Sequence, residues 1–134
     1  MKIGVVGAAG TLGSCAAFAI LEKKLPGELW LFDMKRNVLL AHYMDLRIAA
    51  SVMGQMTVHA AADSADYAGC DVVVNTAGAA PREIANRMEL LSDNLRIGKS
   101  IASDVGTIPH AIVRPRRRNS FNSAPYKRNS FVKL

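Results

Sequence analysis

Apolar and polar residues fall into short alternating blocks along this chain. Lys2 to Val6 is a run rich in β-branched residues that closes on glycine, which predicts a short buried strand. A helix is predicted from Thr11 to Lys24, with Ala16, Ala17, Ala19, Ile20 and Leu21 as its apolar face and Pro26-Gly27 as its stop. Leu29-Trp30-Leu31-Phe32 is a second apolar strand that ends at Asp33. A second helix is expected over Arg36 to Ser51, and a third, weaker strand over Met56 to Ala60. A turn of helix is expected at Ala65-Asp66-Tyr67 and a fourth strand over Asp71 to Asn75. Arg87 to Ser103 has the spacing of a long amphipathic helix, with Leu90, Leu91, Leu95, Ile97 and Ile101 expected to point inward.

Strands that alternate with helices imply a parallel sheet. Right-handed crossovers then leave few arrangements, of which the doubly wound α/β sheet is the commonest. A fifth strand is expected to begin near His110-Ala-Ile-Val113, and the pattern breaks off there.

Composition changes the picture only when it is divided by position. The chain has 134 residues, half of them hydrophobic and 21% charged, the length and make-up of one globular domain. Its formal net charge is +6, yet residues 1–113 carry ten basic and eleven acidic side chains. The other seven basic residues lie in 114–134, which has no acid. There the tetrapeptide Arg-Asn-Ser-Phe occurs at 118–121 and again at 128–131, without apolar periodicity. The expected organisation is a folded but incomplete domain over 1–113 and a disordered basic tail over 114–134. Such a tail has the charge to bind RNA or DNA, with Phe121, Tyr126 and Phe131 available for stacking. Because the change falls inside an expected strand, an out-of-frame or truncated end is favoured over a nucleic-acid-binding arm.

The uncharged stretch from Ile3 to Leu21 superficially imitates a signal peptide or membrane anchor, but Gly4, Gly7, Gly10 and Gly13 interrupt it. Two cysteines, Cys15 and Cys70, are too few for a disulfide scaffold and are expected to be small buried hydrophobes in a reducing, cytoplasmic compartment. No metal is called for.

The informative motif is Gly7-Ala8-Ala9-Gly10-Thr11-Leu12-Gly13, between the first strand and the first helix. Aligned on its last two glycines, it is a variant of the dinucleotide fingerprint with Ala8 at the first glycine position. Gly10 would let the backbone approach a pyrophosphate, and Gly13 would let the helix pack close to the strand. Amides at the helix N-terminus would hold the anion. Asp33 ends the second strand, where a carboxylate accepts hydrogen bonds from an adenosine ribose and repels a 2′-phosphate. That favours NAD over NADP, although Lys35 and Arg36 lie close by.

These features, with Asp45-Leu46, the stretch Asp71 to Gly78 and the stretch Arg87 to Asn94, make residues 1–113 resemble the N-terminal half of the L-lactate/L-malate dehydrogenase family. The resemblance implies a Rossmann-type NAD-binding part of an oxidoreductase that moves hydride between NAD and an L-2-hydroxy acid, malate or lactate. It implies that Gly7 to Gly13 wrap the pyrophosphate, Asp33 holds the adenine ribose, and Ala77-Gly78 floor the nicotinamide ribose. Asn94 would contact the cofactor, and Arg87 would close over the substrate and polarise its carbonyl. The loop departs from the family pattern: Pro81 stands at the position that selects the substrate, and Arg82 reaches a second carboxylate only if the loop shifts by one residue.

The family's general-acid histidine, its orienting aspartate and a carboxylate-binding arginine belong to its later half, and nothing here resembles them. His42, His59 and His110 read as surface or strand residues. The tyrosine-lysine pair of short-chain dehydrogenases is absent too, since Tyr43 is followed four residues later by Arg47. This chain alone is therefore expected not to turn over, to be marginally stable, and to self-associate through the exposed edge of the Val72–Val74 strand. A non-catalytic NAD-binding fragment is the alternative.

Overall fold

The computed structural model describes residues 1–67, 69–79 and 87–105. The elements run β1 (Lys2–Val6), α1 (Thr11–Glu22), β2 (Gly27–Phe32), α2 (Arg36–Met53), β3 (Met56–Ala60), a 3₁₀ turn (Ser64–Tyr67), β4 (Val72–Asn75) and α3 (Arg87–Val105). All strand pairs are parallel, in the order β3-β2-β1-β4. This is the doubly wound arrangement expected. The expected fifth strand at His110 and the tail over 114–134 lie outside the described residues.

Alternation along each strand divides the apolar residues between two faces. Ile3, Val5, Leu29, Leu31, Met56 and Val58 pack with Ala17 and Leu21 of α1 and Leu39, Leu46 and Ala50 of α2. On the other face Val6, Phe32 and Val73 pack with Cys70 and with Ile101 and Val105 of α3. The first helices thus cover one side of the sheet and α3 the other, which is why β1, β2 and β4 read as continuous apolar runs.

Several boundaries and faces differ from expectation. Helix α1 stops at Glu22 rather than Lys24, because Lys24 adopts φ 51° and its amide turns back to the Leu21 carbonyl at 3.0 Å. Ala19, expected to be inward, is exposed. Helix α3 continues to Val105, and Leu91 and Leu95 are 50% and 56% exposed. A helix advances about 100° per residue, so Ile97, Ile101 and Val105 form one stripe with Leu90, while Leu91 and Leu95 fall on the neighbouring face. Cys70 is buried as expected, but Cys15 is exposed, since it lies about 200° around α1 from the buried Gly13 and Ala17.

Candidate functional site

Register brings the site together. Val6 pairs with Phe32 of β2 and with Asn75 of β4, so Gly7, Asp33 and Thr76 leave the sheet side by side at its carboxyl end. The chain after β1 goes to one face and the chain after β4 to the other. The strand order reverses between these strands, and the crevice at such a switch point is where α/β sheets bind ligands.

The loop after β1 is a tight turn that only its glycines permit. Gly7 has φ +83°, and a Cβ there would stand 2.7 Å from the Ala77 nitrogen and 2.8 Å from the Thr76 hydroxyl. The left-handed residue is therefore Gly7 and not the residue at the fingerprint's first glycine position, Ala8, which is fully buried. Gly13 is buried in the first turn of α1, where a Cβ would lie 2.7 Å from the Gly7 carbonyl carbon and 2.8 Å from the Ala8 Cα. The helix therefore packs on the loop at backbone distance. Gly10 is exposed, and among the described residues a Cβ on it would meet only the Gly7 oxygen, at 3.2 Å.

Helix α1 begins behind Gly10 with no side-chain cap. Its first amides, at Thr11 and Leu12, precede the bond from the Ser14 amide to the Gly10 carbonyl at 2.9 Å and have no partner within the helix. They add to the positive end of the helix dipole, a place suited to an anion. Leu12 is 51% exposed on this rim.

Asp33 faces this loop from the end of β2. Its Oδ2 accepts from the Ala9 amide at 3.0 Å and its Oδ1 from the Lys35 amide at 2.8 Å. A carboxylate has about four acceptor positions, so roughly half remain for hydroxyls of a ligand. Arg36 is turned away and donates from its guanidinium to the Ala61 carbonyl. The carboxylate itself suits a ribose diol and disfavours a 2′-phosphate, while Lys35 and Arg36 keep their charge close by.

The segment after β4 forms the other wall. The Thr76 hydroxyl donates to the Val6 carbonyl at 2.7 Å, tying this wall to the end of β1. The Ala77 amide donates to Asn75 Oδ1 at 3.0 Å, and the Ala79 amide to Asn94 Oδ1 at 2.8 Å. Asn94, on α3, therefore braces the Ala77-Gly78 segment on the side where a Cβ on Gly78 would come within 3.2 Å of it. Arg87 is the first residue of α3 by its backbone, whereas Pro81 and Arg82 lie outside the described residues.

Two side chains at this site carry no sequence signal. Thr76 sits within the recognised stretch with no role attached. His42 reads as a helix-surface residue, but it is half-buried and its Nδ1 lies 3.0 Å from the Ala8 carbonyl oxygen. His59 is also half-buried, stacked on Trp30 with ring centroids 4.6 Å apart on the opposite face of the sheet, away from the loop.

Loop, uncapped helix start and strand-end carboxylate fit an anionic diphosphate joined to a ribose, the charged half of a dinucleotide. Comparison with known proteins agrees. A family model described as lactate/malate dehydrogenase, NAD binding domain, matches residues 1–113. An L-lactate dehydrogenase of Clostridium perfringens is 34% identical over 104 residues, covering 78% of this chain and 32% of that protein. The malate dehydrogenase of Archaeoglobus fulgidus in complex with NADH superposes with a TM-score of 0.75 at 32% identity, covering 84% of this chain and 39% of the other. The lactate dehydrogenase of Eimeria maxima with NADH and oxamate gives a TM-score of 0.72 at 31% identity, covering 84% and 34%. The chain spans about a third of the length of the curated relatives it matches.

Proposed function

Because this chain belongs to the lactate/malate dehydrogenase family, through its NAD binding domain, we propose that it is the cofactor-holding part of an oxidoreductase acting on an L-2-hydroxy acid of the malate or lactate type. The observation that carries this reading is the Asp33 carboxylate, held by the Ala9 amide directly beside the uncapped start of α1. Relatives with both substrate names support the acid class and leave the choice between malate and lactate open.

In this reading the backbone from Gly7 through Ala8, Ala9, Gly10, Thr11 and Leu12 to Gly13 wraps the diphosphate of NAD, with Gly10 giving the closest approach. Asp33 accepts from the adenine ribose hydroxyls. Ala77 and Gly78 floor the nicotinamide ribose, and Asn94 holds that floor through Ala79. When bound, NAD supplies the hydride acceptor. Arg87 is assigned to the substrate, where a guanidinium beside a developing alkoxide favours the transition state. Arg82 is assigned to a second substrate carboxylate, if the loop shifts by one residue against the family pattern.

The organisation that goes with this is a cofactor domain over 1–113 and a separate basic segment over 114–134. No helix among the described residues is long and apolar enough to cross a membrane, and a reducing cytoplasmic setting suits the two free thiols. Self-association through the β4 edge belongs to the same proposal, and nucleic acid is not a proposed partner.

Titration of the 134-residue polypeptide with NADH, followed by nicotinamide fluorescence or thermal shift, tests the reading. Saturable binding that Asp33→Ala weakens about tenfold or more, the scale of one or two charged hydrogen bonds, is expected. Unchanged affinity in that variant would remove Asp33 from the ribose, and absence of saturable binding by the folded wild-type chain would overturn the function itself.

A further inference from the structure

We propose that His42 is a positioning residue for the cofactor loop, holding by its Nδ1–H the one peptide plane that the Asp33 carboxylate holds from the other end. This rests on the NAD-binding reading above and adds to it a residue that neither the glycine motif nor the strand-end acid implies.

The carbonyl of Ala8 and the amide of Ala9 belong to the same rigid peptide unit. Asp33 Oδ2 takes the amide end at 3.0 Å, and His42 Nδ1 meets the carbonyl end at 3.0 Å. The amides of Gly7 and Ala8 both donate to the Phe32 carbonyl, at 2.8 and 3.1 Å, so every one of these three amides is tethered toward β2. His42 supplies the opposing pull from α2. Its backbone is well placed for this, because Leu39 and Leu46, three residues before and four after it, are buried on the same helical face. Rotation of the 8–9 plane, which would redirect Gly10 and the first amides of α1, has to break both contacts at once.

Donation runs from imidazole to carbonyl, then from amide to carboxylate, and bonds in such a chain polarise one another. The same arrangement couples the residue assigned to the ribose with the loop assigned to the diphosphate. Donation needs a proton on Nδ1, which the Nδ1–H neutral tautomer and the imidazolium both provide, and the Nε2–H tautomer does not.

Two measurements on the full 134-residue chain test the proposal. In NADH titrations His42→Leu is expected to lose about five- to tenfold in affinity, the worth of one ordinary hydrogen bond. His42→Asn sets an amide donor near the Nδ1 position and is expected to stay within about twofold of wild type, on the same scale. A purely structural histidine would not be rescued by asparagine, so equal losses in the two variants overturn the proposal, as does unchanged affinity in His42→Leu. Independently of how the variants fold, nitrogen-15 NMR of the wild-type imidazole is expected to show the proton on Nδ1 in the neutral state. Observation of the Nε2–H tautomer overturns the proposal while leaving the NAD-binding reading intact. A folded wild-type chain that does not bind NADH ends both.

Discussion

A methyl group at position 13 would press against the Gly7 carbonyl and the Ala8 Cα, backbone atoms that cannot swing aside. Gly13→Ala is therefore expected to lower stability by about 1–3 kcal/mol, the usual cost of overpacking, read as a lower urea midpoint. Gly10→Ala meets a single oxygen at 3.2 Å in an exposed position. It should cost less than about 1 kcal/mol of stability and act instead on NADH affinity, by standing where the anion must come. The contrast would separate a glycine that serves helix packing from one assigned to the ligand. The cysteines separate similarly. Burial pushes the Cys70 thiol above its ordinary range, only partly offset by the charge of Lys2. The folded state then keeps the proton longer than the unfolded chain. Stability from this group is complete below the unfolded thiol pKa and declines as pH rises through the folded one. Urea midpoints should fall across that alkaline window in wild type and fall less in Cys70→Ala. At neutral pH a thiol reagent should label Cys15 quickly and Cys70 only on unfolding.

Among the elements, α3 shows how far a periodic pattern can be trusted. Its leucines at 90, 91 and 95 promise a wide apolar face, yet the sheet offers room for only one stripe. Ile101, 8% exposed and packed with Val73 and Phe32, should cost about 2–5 kcal/mol when truncated to alanine, whereas Leu95→Ala should change stability by less than about 0.5 kcal/mol. Equal effects in a denaturation series would mean that α3 docks by a different face. Burial on both faces makes β1 a nearly continuous apolar run, β3 instead alternates with Thr57 exposed, and both begin and end where the residue pattern places them. Helix α1 ends two residues before its composition suggests, because the left-handed Lys24 has no compositional mark.

For the molecule as a whole, the site exists because three strand ends are level. Binding and turnover should therefore come apart. The 134-residue polypeptide is expected to bind NADH and to give no malate- or lactate-dependent NADH formation in an absorbance assay, since the two histidines among the described residues are engaged elsewhere. His42 is engaged with the Ala8 carbonyl and His59 stacks on Trp30. Measurable turnover would show that another group serves. β4 is an outer strand among those described, and α2 leaves Leu40, Met44, Ile48 and Val52 exposed at every fourth position. Concentration-dependent sedimentation is the expected outcome, because unpaired edges and apolar stripes both favour association; a monomer at all concentrations would contradict it.

Glycine spacing, the acid after the second apolar run and the alternation of strand with helix were all legible in the residues, because each is a local demand of backbone geometry or burial. The partners of those residues were not. Ala8 and His42 are 34 positions apart and Val6 and Thr76 are 70 apart, and no local preference encodes such pairings. Parallel register brought Thr76 to Val6, and the packing of α2 beside the sheet brought His42 to Ala8.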